Sequence, residues 1–318
     1  MKSNHHKLFT LATLMAGATA ILHLSNRFVE SNSQAKNLLS ESSSNFYTCR
    51  LGRVYYKKSG NGTPLLLIHD MFPGASGYEW RHIEEQLASD HTVYTLDLLG
   101  CGRSEKTGIT YTNFVYVDLI SSFIKDVIKE KTDIMTSGFS GSFALMTALH
   151  DQELISRIML INPPSLTSLT QKVKEQEKLL SYILQVPIFG TFIYHIAVSR
   201  EISSNLFLEK LYYNPFHADE TIIDAYYEAA HKGGYYAKYL YISMICKYMN
   251  VDITNALKTI NNCIYIISGD KETNSENIAK EYQKINPSIE TAVVRNAKHL
   301  PHIETSKEFM EQFRIFFE

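Results

Sequence analysis

Short runs of consecutive apolar residues alternate with helical stretches from about residue 46 to the end of the 318-residue chain. Such a run is typical of a strand buried on both faces of a parallel sheet, because that strand has no solvated side. Strands that alternate with helices predict an α/β fold with a mostly parallel central sheet and helices on both faces. The expected strands are 53–57, 65–69, 93–96, 133–137, 158–161, 263–268 and 291–294, and the expected core helices are 80–87, 115–130, 143–150 and 307–317.

Residues 163–256 interrupt this alternation, since they show helical periodicity and no apolar run of the strand type. The pattern predicts a helical insertion between two core segments, 46–162 and 257–318. More than half of the 20 tyrosines lie in the insertion. Tyrosine has a large apolar ring and a polar tip, which suits the wall of a ligand pocket. The same aromatic residues are also compatible with simple packing of the insertion against the core.

The N-terminus predicts a membrane segment. Residues 8–24 contain no Asp, Glu, Lys or Arg, and this length is close to the roughly 17–25 residues of a membrane span. We predict a signal-anchor helix in residues 1–25, with a cleaved signal peptide or a buried amphipathic helix as alternatives. Lys2 and Lys7 before the span and Arg27 after it favour a single-pass protein with an extracytoplasmic body; cleavage predicts a secreted protein. The polar, Ser-rich residues 26–45 predict a tether.

Composition and motifs exclude several other classes of protein. Hydrophobic residues make up 45% of the chain, which excludes a disordered protein. The net charge of −2 argues against a nucleic-acid binder, which needs a concentrated positive surface. The four cysteines are far apart and form no CxxC motif, so neither a zinc ribbon nor a dense disulfide framework is expected. No phosphate-cradling glycine motif is present, and we predict neither a cofactor nor a metal.

The first chemical motif is residues 137–142 (SGFSGS), between a predicted strand and a predicted helix. A nucleophile elbow is a sharp turn that holds a serine in a strained conformation, with small residues two before and two after it. Ser140 meets this need, because Gly138 and Ser142 are both small. Ser137 and Ser142 are the rival nucleophiles, and a simple helix-capping loop is the other interpretation.

Two further strand ends carry a base and an acid. His299 follows the last predicted strand, where a general base can reach the elbow from the same sheet edge. Glu272 and Asp270 both follow strand 263–268, and the spacing alone leaves the choice between them open. His302 either supports this loop or forms a metal pair with His299, although a third metal ligand is missing at a sensible spacing. The chain order serine, acid, histidine is that of a hydrolase built on this type of sheet.

Five motifs together resemble those of the α/β-hydrolase superfamily. Members commonly show HG, DxxGxGxS, GxSxG, GxxD and GHxPxxE, and the corresponding segments here are 69–70 (HD), 97–104 (DLLGCGRS), 138–142 (GFSGS), 269–272 (GDKE) and 298–304 (KHLPHIE). The resemblance covers residues 46–318. It implies an α/β-hydrolase fold in which the insertion is a helical cap over the site.

The resemblance also implies a role for individual residues. Ser140 becomes the nucleophile and His299 the base. Glu272 becomes the acid, with Asp270 as the second choice. The oxyanion-hole amides fall on Met71 and Gly141.

We therefore expect a membrane-tethered serine hydrolase that cleaves a hydrophobic ester or a related acyl compound. Asp70 stands where the family has glycine, and its charge opposes catalysis unless the side chain is turned away or paired. Asp70 and Ser142 motivate the alternative, a catalytically weak hydrolase fold that acts as a surface binding module. We do not expect a haloalkane dehalogenase, because that chemistry needs an aspartate where Ser140 stands.

Overall fold

The computed structural model describes residues 2–40 and 45–317 and confirms the α/β-hydrolase fold. Eight strands form one sheet in the order β1-β2-β4-β3-β5-β6-β7-β8. The strands are β1 (Asn45–Cys49), β2 (Gly52–Ser59), β3 (Thr63–Ile68), β4 (His91–Leu96), β5 (Thr132–Ser137), β6 (Ile155–Ile161), β7 (Cys263–Gly269) and β8 (Glu290–Val294). Strand β2 is antiparallel to both its neighbours, and β3 to β8 are mutually parallel.

Fourteen α-helices are described in this part of the chain. They are α1 (Lys2–Ser33), α2 (Glu84–Leu87), α3 (Asn113–Phe123), α4 (Gly141–His150), α5 (Leu166–Leu169), α6 (Glu175–Gln185), α7 (Phe189–Ala197), α8 (Arg200–Asn205), α9 (Glu220–His231), α10 (Lys238–Ile245), α11 (Thr254–Thr259), α12 (Ser275–Ile285), α13 (Pro301–Glu304) and α14 (Ser306–Phe317). Short 3₁₀ or π segments span Gly77–His82, Ile124–Ile128, Gly138–Ser140, Leu206–Leu211, Pro215–His217 and Gly234–Tyr236.

The two faces of the sheet carry two separate apolar cores. Because side chains alternate along a strand, Leu66 and Ile68 of β3 face helices α3, α4, α11 and α12. Leu65 and Leu67 face the opposite side, where Trp80 and the helices α2 and α14 pack. Coverage on both faces explains the uninterrupted apolar run of this strand.

All seven predicted strands are present, and β1 was missed. The side chains of β1 are exposed or only partly buried, so no continuous apolar run marks this strand in the sequence. The predicted helix 115–130 is shorter than expected, since α3 passes into a π-helical turn that ends at Lys129, whose φ is 65°. The predicted helix 80–87 is divided between a 3₁₀ turn and α2.

The insertion is helical throughout its regular elements, from α5 to α11. Three of its tyrosines are buried: Tyr212 and Tyr226 join Phe207 in one apolar cluster, and Tyr194 belongs to a second. The first cluster also contains Ala75 and Leu300 of the core, so its rings pack the insertion against the core.

Helix α1 extends beyond the predicted anchor into the predicted tether. It continues to Ser33 because its last turns pack on the cap, where Asn26 and Ser33 are buried. The chain after the helix is also held: the backbone N–H groups of Leu38 and Leu39 donate to the carboxylate of Glu228. Residues 26–40 are therefore a fixed part of the fold. The predicted tether residues 41–44 lie outside the described residues.

A buried ion pair holds the loop after β4. The carboxylate of Asp97, fully buried, accepts hydrogen bonds from the amides of Gly77 and Arg103 and from the Arg103 guanidinium. Burial raises the pKa of this carboxyl, but the Arg103 charge and the hydrogen bonds outweigh burial and lower the pKa to about 2. The stabilisation is present above the unfolded-state pKa of about 3.9 and is lost as pH falls through about 2.

Replacement of Asp97 by Asn is expected to lower the free energy of unfolding by about 3–5 kcal/mol, because the buried Arg103 charge loses the carboxylate that balances it. Urea denaturation at pH 7 measures the change. Asp118→Asn, at an exposed position of α3, is the matched control and should change the free energy by less than about 0.5 kcal/mol. Equal effects of the two substitutions would contradict the assigned role of the pair.

Candidate active site

The loops after four parallel strands meet at one edge of the sheet. Asp70 follows β3, Gly138 follows β5, Glu272 follows β7 and His299 follows β8. The carboxyl ends of parallel strands share one edge, which is where ligands bind in open α/β sheets. A cavity of about 270 Å³ opens among these residues, and Phe139, Met71, Pro163, Pro164 and Ile278 add an apolar wall.

His299 lies between two carboxylates. Its Nε2 is 2.9 Å from Oδ2 of Asp70, and its Nδ1 is 3.3 Å from Oε2 of Glu272. Asp270 does not contact the ring: it accepts a hydrogen bond from the Ala297 amide and pairs with Lys271. The structure therefore places Glu272, the residue that the resemblance implied, at the histidine.

The second oxygen of Asp70 is held by two backbone amides. The N–H groups of Met71 and Phe139 both donate to Oδ1, each at 2.7 Å. Two converging amides form an oxyanion hole, which stabilises a negatively charged oxygen. Met71 was predicted to supply one of them. Here both amides hold an oxygen of the protein's own carboxylate.

Gly138 makes room for this carboxylate. Its φ is 53°, in the left-handed region that side chains rarely adopt. A Cβ at position 138 would lie only 2.2 Å from Cγ of Asp70. The carboxylate of Asp70 thus occupies the space in which a side chain on residue 138 would stand.

Ser140, the predicted nucleophile, does not lie at the strained position of the turn. The strained turn falls at Gly138, and Ser140 has helical angles, φ −64° and ψ −17°. The Ser140 hydroxyl is fully buried and donates to the carbonyl of His69 at 2.6 Å. Both nitrogens of His299 already face carboxylates, so the ring does not activate this hydroxyl.

The other residues predicted around Ser140 have structural contacts. The Gly141 amide bonds back to the carbonyls of Gly138 and Phe139, so Phe139, not Gly141, supplies the second amide at Oδ1 of Asp70. The Ser142 hydroxyl donates to the Phe139 carbonyl at 2.9 Å. Ser137 is fully buried at the end of β5. Neither rival serine faces the cavity.

Two polar residues that sequence reasoning missed hold the site in place. Glu79, fully buried, accepts the backbone N–H of Asp70 at 3.3 Å and pairs with His302 Nε2 at 3.1 Å. His302 therefore supports the loop rather than pairing with His299. The Asn162 side chain donates to the carbonyls of Lys298 and His299 and accepts the Gly269 amide. Asn162 thereby ties the loops that carry His299 and Glu272 to the end of β6.

The three charges of the site stabilise one another. Burial lowers the pKa of His299, but the hydrogen bonds and charges of Asp70 and Glu272 outweigh it and raise the pKa to about 10. Burial raises the pKa of the Asp70 carboxyl, and the contacts with His299, Met71 and Phe139 outweigh it, so the net shift is downward. The resting site is thus an imidazolium between two carboxylates. Among the described residues no cluster of three or more His, Cys, Asp or Glu side chains could hold a metal ion.

A sequence profile of the α/β-hydrolase family matches residues 65–312, well over half of the chain. The chain belongs to this family. Its first matching relative is a 2-hydroxymuconate semialdehyde hydrolase from Pseudomonas sp. (strain CF600), 32% identical over 111 residues. A soluble epoxide hydrolase from Corynebacterium sp. (strain C12) is 29% identical over 110 residues.

These two alignments cover 34% and 35% of this chain and only 39% and 38% of the two relatives. Among solved structures, a serine hydrolase involved in carbazole degradation superimposes with a TM-score of 0.70 and 18% identity over 86% of this α/β-hydrolase and 98% of that chain. At this identity the likeness establishes the fold alone.

Replacement of Asp70 by Asn is expected to lower the pKa of His299 from about 10 toward the ordinary value of about 6.5, because one of its two carboxylate partners loses its charge. A pH titration of the histidine ring signals by NMR measures this shift. Asp270→Asn, which removes a nearby carboxylate that does not contact the ring, should leave the titration unchanged. An unaltered His299 pKa in the Asp70 variant would show that the two side chains are not coupled.

Proposed function

We propose that this α/β-hydrolase hydrolyses a small electrophile through a covalent alkyl ester on Asp70. The observation that carries the proposal is the two-sided contact of this carboxylate, with Oδ1 on two backbone amides and Oδ2 facing His299. A carboxylate held in this way presents one oxygen as a nucleophile and keeps the other where negative charge is stabilised. Asp70, His299 and Glu272 then replace the expected serine triad.

The occupied amides support one type of substrate over another. An ester or acyl substrate needs an empty oxyanion hole for its own carbonyl oxygen, and here Met71 and Phe139 already donate to Asp70. A substrate attacked at a saturated carbon needs no such hole. Its oxyanion forms later, on Asp70 itself. The geometry therefore favours an epoxide or a haloalkane over an ester.

In the first half of the reaction, Oδ2 of Asp70 attacks the saturated carbon and a carbon–oxygen bond forms. The bond from that carbon to the leaving group breaks, and the leaving group takes the electron pair. A halide departs as the anion. An epoxide oxygen takes a proton from the His299 imidazolium, which lies 2.9 Å from the attacking oxygen. Both routes leave an alkyl ester of Asp70.

In the second half, the ester has lost the charge that raised the pKa of His299. The pKa of His299 falls. In the halide route the ring then releases its proton to solvent, whereas in the epoxide route it has already given that proton to the epoxide oxygen. The neutral ring takes a proton from water, while Glu272 orients and stabilises it. The resulting hydroxide attacks the carboxyl carbon of Asp70, and the oxyanion develops on Oδ1 between the two amides. The ester bond breaks, and the alcohol leaves with the proton from His299. The carboxyl proton that came with the water oxygen passes to His299, which restores both the carboxylate, with one oxygen from water, and the imidazolium.

The cavity indicates a small, apolar substrate. It holds about 270 Å³, and beyond Met71 and Phe139 it adjoins a second space of about 120 Å³ under the cap. The cap side of that space is lined by Met244, Met249 and Asn250. The soluble epoxide hydrolase among the relatives supports an epoxide as the first substrate to test.

We also propose that α1 anchors the protein in a membrane. Its segment His6–Ser33 is long and apolar enough to cross a bilayer, judged by length and composition. The large apolar side chains Leu8, Leu14 and Ile21 are 66–67% exposed. No protein surface covers them, so lipid is the environment that suits them.

A trapped intermediate tests the chemistry. In a His299→Gln variant, a short bromoalkane should alkylate Asp70, because bromide needs no proton to leave. The alkyl ester should then accumulate, because no base activates water for the second half of the reaction. Mass spectrometry of the peptide that contains Asp70 should show the added alkyl mass. An Asp70→Asn, His299→Gln double variant should show none. Adduct on Ser140, or turnover without any adduct, would exclude this route.

The two nucleophiles are separated by paired substitutions. With whichever epoxide, bromoalkane or p-nitrophenyl ester is turned over, Asp70→Asn should lower kcat by about 10⁴-fold, as removal of one member of a catalytic triad does. Ser140→Ala, in contrast, should retain activity within about tenfold, since its hydroxyl only bonds to a buried carbonyl. A large loss in Ser140→Ala with little loss in Asp70→Asn would instead support a serine hydrolase. A folded protein that turns over none of the probes would favour the binding module.

A further inference from the structure

Helix α1 leaves the body of the protein at a defined place on the cap. The Asn26 side chain donates to the carbonyl of Ile188 at 2.9 Å, in the turn between α6 and α7. The residues from 6 to 21 are exposed, whereas Asn26, Glu30 and Ser33, on successive turns, face the cap. The apolar part of α1 therefore projects from the protein beside this turn.

The segment of the cap around that turn contains a long run of residues without a charged side chain. Residues 179–199 contain no Asp, Glu, Lys or Arg, and the run begins after Lys178 and ends before Arg200. Six of its large apolar side chains are 36–68% exposed: Leu179, Tyr182, Ile183, Val186, Phe189 and Ile196. We call this set the cap apolar face.

The helical spacing gathers these residues on one side of each helix. Residues 179, 182, 183 and 186 follow the i, i+3, i+4, i+7 pattern along and just beyond α6. Residues 189 and 196 are two turns apart on α7. Val186 and Phe189 flank Ile188, which holds Asn26, so the face lies at the level where α1 emerges.

The cap apolar face cannot itself cross a bilayer. Helix α6 and the helical segment Phe189–Leu211 meet at 120°, and α6 and α7 have 11 and 9 residues, against about 20 for a spanning helix. Short helices with one apolar side and cationic flanks are suited instead to the boundary between headgroups and acyl chains.

We propose that the cap apolar face is a second membrane contact, seated in the lipid interface beside α1. The inference rests on the anchoring role of α1 proposed above. Continuity of the two apolar surfaces argues for lipid rather than a second copy of the chain, because a bilayer that surrounds the projecting part of α1 begins at the turn occupied by Ile188. The cap, and with it the roof of the candidate active site, then lies against the membrane.

Lipid quenching tests this contact in the full-length protein reconstituted in phosphatidylcholine vesicles. Single cysteines carrying an environment-sensitive fluorophore replace Tyr182, Leu14 or Lys280 in a background with Cys49→Ser and Cys263→Ser. Tyr182 reports the cap apolar face, Leu14 the anchor, and Lys280 an exposed position on α12 of the core. Nitroxide-labelled lipid should lower the emission at residues 182 and 14 by about twofold, since interfacial side chains lie roughly 5–10 Å into the boundary. Emission at residue 280 should not change.

The outcomes separate the anchor from the face. Quenching at residue 14 but not at 182 overturns the cap contact and leaves the anchor intact. Quenching at neither position overturns both. Protection of residue 182 from aqueous iodide without lipid quenching indicates a second copy, which also overturns the proposal.

A charge substitution provides an independent variant. Phe189→Asp, on the face, should reduce the lipid quenching of the label at residue 182. The matched control Phe114→Asp replaces an 81% exposed phenylalanine on the core helix α3 and should leave the quenching unchanged. Equal quenching in both variants would contradict the contact.

Discussion

The site depends on one carboxylate that fills the space of a missing side chain. Asp70 reaches the elbow because Gly138 has no Cβ, and its Oδ1 is held by the Phe139 amide of the elbow and by the Met71 amide of its own loop. A buried carboxylate is costly unless it is paired and hydrogen-bonded. His299 supplies the pairing charge, and Glu272 in turn balances the second nitrogen of the ring. Removal of any one of these groups leaves a buried charge or an empty space.

The surrounding fold fixes this arrangement from several strands. Glu79 holds the backbone of Asp70, and Asn162 joins the His299 loop to the end of β7. The groups of the candidate site therefore come from four strand ends whose spacing the sheet sets. Such rigidity favours a catalyst, because preorganised donors do not have to rearrange as charge develops.

The cap and the N-terminal helix form one mechanical unit. Glu228 of α9 accepts the amides of Leu38 and Leu39, and Asp224 pairs with both Lys36 and Arg200. In the anchoring role proposed for α1, a helix joined in this way would orient the cap, whereas a flexible tether would leave the body free to turn. The proposed membrane contact also explains the exposed apolar side chains beside Ile188. Single apolar residues on a soluble surface are ordinary, whereas a continuous set of them marks an interaction site.

Much of the fold was predictable, because burial on both faces leaves uninterrupted apolar runs and the helical insertion lacks them. The proximity of His299 to an acid after β7 was also predictable from the strand ends, although spacing alone left Glu272 and Asp270 open. The elbow was placed two residues too late. An elbow needs small residues two positions before and two positions after its centre. This pattern fits a centre at Gly138, between Thr136 and Ser140, as well as a centre at Ser140, between Gly138 and Ser142. Only the second of these centres is a serine.

The sequence by itself determined the sheet and the helical insertion, since these follow from apolar periodicity, and its resemblance to the family singled out the aspartate after β3. Only the tertiary structure decided that Asp70 and Gly138, 68 positions apart in the sequence, complement each other. The backbone of residue 138 carries the positive φ, and the carboxylate of residue 70 occupies the vacant volume. Complementary shape between distant residues has no periodic signature along a chain, so it appears only when the strands are brought together.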